Sequence, residues 1–203
     1  MEIVLATKNV HKIREFKDML KRYPHLELVT LHQFPYYHPP EETGSTFKEN
    51  ATSKAEHAAK ALNRWVLADD SGLVVSALKG QPGIFSSRYA GADATDVENR
   101  QKLLKDMAHL TSPEERSAYY ECCLVIASPQ SIKKCVTGTC EGHLLTEERG
   151  RNGFGYDSLF VKHDYEKTFA EVDESTKNRI SHRCKAFERL STFLETLGNG
   201  QER

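Results

Sequence analysis

Two adjacent carboxylates, Asp69-Asp70, stand with Ser71-Gly72 between the apolar stretches Trp65–Ala68 and Leu73-Val74-Val75. Carboxylates inside such a run are costly unless they are ion-paired, hydrogen-bonded or metal-bound. A carboxylate suits Mg2+ and can also take a proton from water, so metal-assisted hydrolysis is one chemistry open to this segment. An Asx-turn in which Gly72 supplies a positive φ is the other. Side chains alternate along an extended strand, so only one of the two aspartates faces any given site. Upstream, either glutamate of Glu41-Glu42-Thr43-Gly44 would complete a metal shell with one of them; taken alone, the segment is a solvated acidic loop.

Two further clusters carry positive charge. Thr7-Lys8-Asn9-Val10-His11-Lys12 follows the short apolar run Ile3–Ala6 and opens a helical pattern. Free N–H groups at a helix start, with lysines beside them, suit a phosphate. A plain N-cap with solvated lysines would use the same residues. The segment is not a Walker A loop, since it lacks both glycines and the Lys-Ser/Thr pair. In the last third, Gly153-Phe154-Gly155-Tyr156-Asp157 makes a loop in which Phe154 or Tyr156 offers a stacking face to a flat ligand. Lys177-Asn178 and Ser181-His182-Arg183 follow, at the start of a predicted last helix. Cations there oppose the helix dipole unless an anion joins them, which favours a phosphate-bearing or acidic ligand. For His182, a packed core histidine is the ordinary alternative.

The elements that must position these groups are readable from period and punctuation. Val10, Ile13, Phe16 and Leu20 place one apolar stripe on a helix after the Ile3–Ala6 strand. Leu26–Leu31 predicts a second strand, and the proline-bearing segment Phe34–Gly44 a loop. Thr46-Phe47-Lys48-Glu49 has the capping-box pattern and leads into Ala51, Ala55, Ala58, Ala59 and Leu62 on one face. The acidic pair then interrupts a strand. Thr95-Asp96-Val97-Glu98 opens another helix, with Leu104 and Met107 inward. Ser117–Ala127 and Lys133–Gly142 predict two long strands, and Ser158–Val161 a short one. A single helix from about Ser175 carries Ala186, Phe187, Leu190, Leu194 and Leu197 on one face. Interleaved helices and strands with two adjacent long strands predict the α/β class with a mixed sheet.

The chain has 203 residues, 38% hydrophobic and 28% charged, with 28 basic against 29 acidic side chains and a net charge of −1. That is enough apolar material for a sizeable core and too much for a disordered chain. The length predicts one domain, 1–203, or a tightly joined pair of lobes. Near-neutrality excludes attraction by bulk positive charge to a nucleic-acid polymer or an anionic membrane, though not a local basic cleft. No stretch nears the roughly 18 apolar residues of a membrane span, and the N-terminus lacks a signal peptide's order. Cys122, Cys123, Cys135, Cys140 and Cys184 are an odd set without zinc-type spacing. They are expected to be reduced core residues of a cytoplasmic protein.

Together these segments resemble the inosine triphosphate pyrophosphatase family, also called Ham1-like. The match runs in order through Leu5-Ala6-Thr7-Lys8-Asn9 with Lys12, then Glu41 to Ala51, Ala68 to Leu73 and Gly80-Gln81-Pro82-Gly83. It continues with Ser87-Arg88-Tyr89, Gly153 to Asp157, and Lys177 to Arg183. The resemblance implies an elongated mixed α/β structure of two lobes with a central cleft, usually a homodimer. It also implies Mg2+-dependent hydrolysis of ITP, dITP and XTP to the monophosphate and pyrophosphate. By the same resemblance Thr7, Lys8, Asn9, Val10, His11 and Lys12 hold the triphosphate, Asp70 is general base and metal ligand, and Glu41 assists with the metal. Ser71 touches substrate, while Phe154, Gly155, Tyr156 and Asp157 border the nucleoside. Lys177, His182 and Arg183 contact the purine's oxygenated edge or the phosphates. Lys8 and Ser76 depart from the family, which commonly has glycine and aspartate there. A pyrophosphatase for modified pyrimidine triphosphates and a non-catalytic nucleotide-binding regulator of the same fold are the competing readings.

Overall fold

The computed structural model describes residues 1–197. The first strand, β1 (Glu2–Leu5), ends at a turn whose Asn9 starts helix α1 (Val10–Leu20). Strand β2 (Glu27–Thr30) and a loop precede helix α2 (Phe47–Leu62) and the long strand β3 (Val66–Val75). Helix α3 (Asp96–Asp106), strands β4 (Ser117–Ala127), β5 (Ile132–Leu144) and β6 (Phe160–Lys162), and the short helices α4 (Glu174–Ile180), α5 (His182–Glu188) and α6 (Ser191–Thr196) follow. One six-stranded sheet results, in the order β2-β1-β3-β4-β5-β6. Strand β1 runs parallel to β2 and β3, and β5 runs antiparallel to β6, so the expected mixed sheet forms.

The chain divides into two compact units. The first comprises residues 1–70, 122–138 and 183–197. Its core joins Ile3, Leu5, Phe16, Leu67, Leu124, Phe187 and Leu190 from strands and helices far apart in sequence. The second comprises residues 71–121 and 139–182, around Leu73, Leu103, Met107, Leu144, Phe160 and Phe169.

Two expectations fail for physical reasons. Strand β3 runs unbroken through Asp69-Asp70-Ser71-Gly72, and Gly72 has no positive φ, so there is no Asx-turn. Both carboxylates find cationic partners, so the strand need not open to reach water. The predicted last helix is three short ones, because Ser181 is extended (φ −74°, ψ 162°) and ends α4. Lys177 thereby lies in the last turn of α4, where a cation is favourable and needs no anion to offset the dipole. The cap of α2 also differs in detail. Thr46 accepts from the Glu49 N–H, and the Glu49 carboxylate reaches one residue further back to accept from the Ser45 N–H and hydroxyl. Four of the five cysteines are buried and Cys135 is half-buried. Among the described residues, no helix is long and apolar enough to cross a membrane.

Candidate functional site

In the first unit, strand register explains why the acidic pair and the lysine turn meet. Leu5 of β1 pairs with Leu67 of β3 in parallel, and the Ala6 N–H donates to Leu67 O. Two residues further on, the chain reaches Thr7 in the turn after β1 and Asp69 on β3. Thr7 thus lies just past the carboxyl end of β1, and Asp69 within β3 just beyond the stretch that pairs with β1. There Lys12 Nζ lies 2.5 Å from Asp69 Oδ1. Thr7 is half-buried, whereas Lys8, Asn9, Val10 and His11 are exposed. The Asn9 side chain accepts from the His11 and Lys12 N–H groups at 2.9 and 3.1 Å, an N-cap. The N-cap is therefore real, and of the two lysines only Lys8 is solvated.

Alternation along β3 gives the two aspartates separate partners. Asp69 is buried against Lys12, the Arg183 guanidinium and the Cys122 thiol. Burial pushes its carboxyl up, but Lys12, Arg183 and Lys54 outweigh this and hold it well below the usual carboxylate range. Asp70 accepts from Asn50 Nδ2 at 3.2 Å and from Lys54 Nζ at 2.9 Å. Here burial wins over the pull of Lys54, and the Asp70 carboxyl is raised above the usual value. A base raised toward neutrality is better matched to taking a proton from water. Of the two aspartates, only Asp70 is so poised.

Lys54 also donates to Glu42 Oε1 at 3.0 Å, so two carboxylates share one ammonium. Burial works against its charge, yet Asp70 and the two other nearby carboxylates raise its pKa. It is Glu42, not Glu41, that shares a cation with Asp70; Glu41 is exposed. Asn50 and Lys54 were missed in the sequence. Their signal was polar residues at i, i+4 on a helix whose other inward positions are Ala51, Ala55, Ala58 and Ala59.

Arg183 is a correction to the expected anion contact. Its guanidinium is 1% exposed and is enclosed by Glu15 and Asp69. Burial works against its charge, but these two carboxylates prevail and raise its pKa. Its charge is committed inside the unit. Glu15, on the inward side of α1 with Ile13 and Phe16, was not anticipated.

In the second unit, Asp157 is the hub of the glycine loop. Its Oδ2 accepts from the Phe154 N–H at 2.9 Å and from Lys177 Nζ at 2.5 Å. Lys177, itself buried, sits 4.5 Å from the centre of the Phe154 ring. Gly153 has φ +77°, and a Cβ there would come within 2.1 Å of the Asp157 carboxylate. Glycine is therefore required both by conformation and by space. Of the two aromatic faces considered, Tyr156 is withdrawn: it is 2% exposed and its hydroxyl donates to Ser86 O. Phe154 remains half-buried. His182 is packed, stacked on Tyr120 with centroids 4.7 Å apart and an 11° tilt. Ser71, half-buried, follows Asp70 on β3, and Ser76 is exposed at the end of that strand.

The profile of the Ham1 family matches residues 3–193. A dITP/XTP pyrophosphatase of Protochlamydia amoebophila is 70% identical over 197 residues, covering 97% of this chain and 99% of the relative. Its counterpart by name from Chlamydia abortus is 49% identical, over 97% and 96% of the two chains. Among solved structures, a HAM1 protein from Coxiella burnetii aligns with a TM-score of 0.85 at 44% identity, over 96% of this chain and 98% of its own. The Staphylococcus aureus Ham1 protein aligns at 0.84 and 42%, with the same coverage. With a family match over most of its length and relatives this similar, the chain belongs to the Ham1 family.

Proposed function

We propose that this chain hydrolyses non-standard purine nucleoside triphosphates (dITP, XTP and ITP) to the monophosphate and pyrophosphate in a Mg2+-dependent reaction. The observation that carries it is the buried Asp70 carboxylate, raised in pKa and steered by Asn50 and Lys54, within β3 beside Asp69, whose partner Lys12 comes from the Thr7–Lys12 turn. The names of the relatives supply the substrate class.

The residues present fit Mg2+. Asp70 and Glu42 already direct hard oxygens at one cationic point, and Mg2+ takes one or two carboxylates plus substrate phosphates and water. When bound, the metal would neutralise charge on the phosphates. The chain's part is then to fix Asp70 beside a water in line with the α-phosphorus. Asp70 removes a proton as the water oxygen bonds to phosphorus, and the α–β bridging oxygen departs with pyrophosphate. Lys8 and His11, exposed at the helix start, meet the phosphates. Phe154 stacks on the base, and Lys177 and His182 read its O6 edge; the same reading makes the protein a cytoplasmic homodimer.

Purified protein with Mg2+ is expected to release pyrophosphate from dITP, ITP and XTP at least tenfold faster than from ATP or GTP. Orthophosphate as first product, or equal rates on all five, overturns the assignment. A modified pyrimidine triphosphate in the same panel separates the pyrimidine reading.

Lys54→Met should lose about 10–100-fold in kcat/KM, the usual scale for a partner that orients a catalytic or metal-binding carboxylate. It should also move the acid limb of the pH profile to higher pH. Lys54 opposes the upward push of burial on Asp70, so removing it raises the pH at which the base becomes competent. An unmoved acid limb would detach Lys54 from Asp70.

A further inference from the structure

We propose that helix α3 clamps the glycine loop through Asp96 and Arg100, making both positioning residues for discrimination among bases. The inference deepens the proposed activity and rests on Phe154 bordering the base. Both poles of the Gly155 peptide groups are held by one helical turn: its N–H donates to Asp96 Oδ2 at 2.7 Å, and its carbonyl accepts from Arg100 Nη1 at 2.8 Å. Spaced i, i+4, the two side chains emerge on the same side of α3. Arg100 Nε also donates to Glu148 Oε2 at 2.8 Å, and the same oxygen accepts from Ser158 Oγ at 2.8 Å. Arg100 thus ties both ends of the loop to the helix.

The helix is itself anchored. Thr95 and Glu98 form a full capping box at its start. Buried Asn99 accepts from the Ala90 N–H at 2.8 Å and donates to Ser87 O at 3.1 Å. Phe154 therefore sits between two fixed points, its own N–H on Asp157 and the next residue on α3. A cavity of about 160 Å³ opens along this loop, lined by Asp96, Arg100, Glu148, Phe154 and Asp157 among others. Stacking on a ring tolerates any base, whereas edge recognition requires the base to be held to within about 0.5 Å. Fixing the ring fixes where the base edge falls. The clamp should thus act on base discrimination and leave phosphate chemistry alone.

The test compares Asp96→Asn, Arg100→Met and Arg100→Lys with the wild type in four measurements. These are kinetics on ITP and GTP, inhibition by inorganic tripolyphosphate (which has no base), amide hydrogen exchange over residues 150–158, and thermal unfolding. Arg100→Met is expected to exchange faster in the loop and to raise KM for ITP about tenfold, with kcat within about threefold. The ITP/GTP ratio of kcat/KM should fall by a similar factor, while tripolyphosphate inhibition stays unchanged. Arg100→Lys, able to replace one of the two donors, should recover part of the ratio. Faster exchange with an unchanged ratio overturns the proposal, as does unchanged exchange. Equal losses in kcat and tripolyphosphate affinity would also overturn it, by showing general disruption. Absence of ITP hydrolysis in the wild type would instead refute the activity, leaving the clamp to be judged by exchange alone.

Discussion

Asp70→Asn is expected to remain folded and to lose about two to four orders of magnitude in kcat, the range for removing a positioned general base. The amide keeps the shape of the carboxylate and can still face Asn50 and Lys54, but it takes no proton from water. Burial disfavours the charged form of Asp70 in the wild type, so the neutral amide is relieved of that cost. Lys54 meanwhile retains Glu42 as a partner. The melting temperature should accordingly stay within a few degrees, and activity should not return on raising the pH. A variant turning over ITP at more than about a tenth of the wild-type rate would remove Asp70 from the base role. The equivalent change at Asp69 should behave differently. Its carboxylate is held ionised by Lys12 and Arg183, so Asp69→Asn should lower stability first and activity only as a consequence. Comparing the two variants by melting curve and turnover separates the base from the strut.

How far the chain could be read in advance follows from where each residue's partners lie. The turns of helix α1, its Asn9 cap, and the caps at the starts of α2 and α3 depend on neighbours within four residues, and local pattern exposed all but the Ser45 contact of Glu49. The continuity of β3 depends on partners 57 and 114 positions from Asp69, Lys12 and Arg183, which period and propensity do not see. The same distance hid the fate of Arg183. A cation near a helix start reads as a ligand contact until Glu15, 168 positions away, closes on it. Asn50 and Lys54 carry no separate local signature, because alanines dominate the inward face of α2 and its pattern is that of close packing. The glycine loop was legible as a loop. Which of its aromatic rings stays accessible was not, since that turns on the Tyr156 hydroxyl reaching Ser86, 70 positions away.

Arg183→Met should cost about 3–5 kcal/mol of stability, the scale for removing one partner of a buried ion pair. At roughly 2–4 °C per kcal/mol for a chain of this length, the melting temperature would fall by on the order of 10 °C. Methionine fills much of the volume, so the loss is one of charge compensation more than of a cavity: Glu15 and Asp69 both stay buried without the guanidinium between them. A double variant, Glu15→Met with Arg183→Met, should be more stable than Arg183→Met alone, because it removes a stranded carboxylate as well. The pH dependence gives an independent arm. Asp69 is depressed in the folded wild type, so its contribution is fully present above the unfolded value near 3.9 and fades as pH falls below it. The variant lacks part of that contribution, so the gap between the two proteins should narrow in urea titrations on going from pH 7 to pH 3. A gap that is constant with pH, or a double variant no better than the single one, would show that Arg183 stabilises by filling space in the core, with its guanidinium over the Phe16 ring, and not by pairing with the two carboxylates.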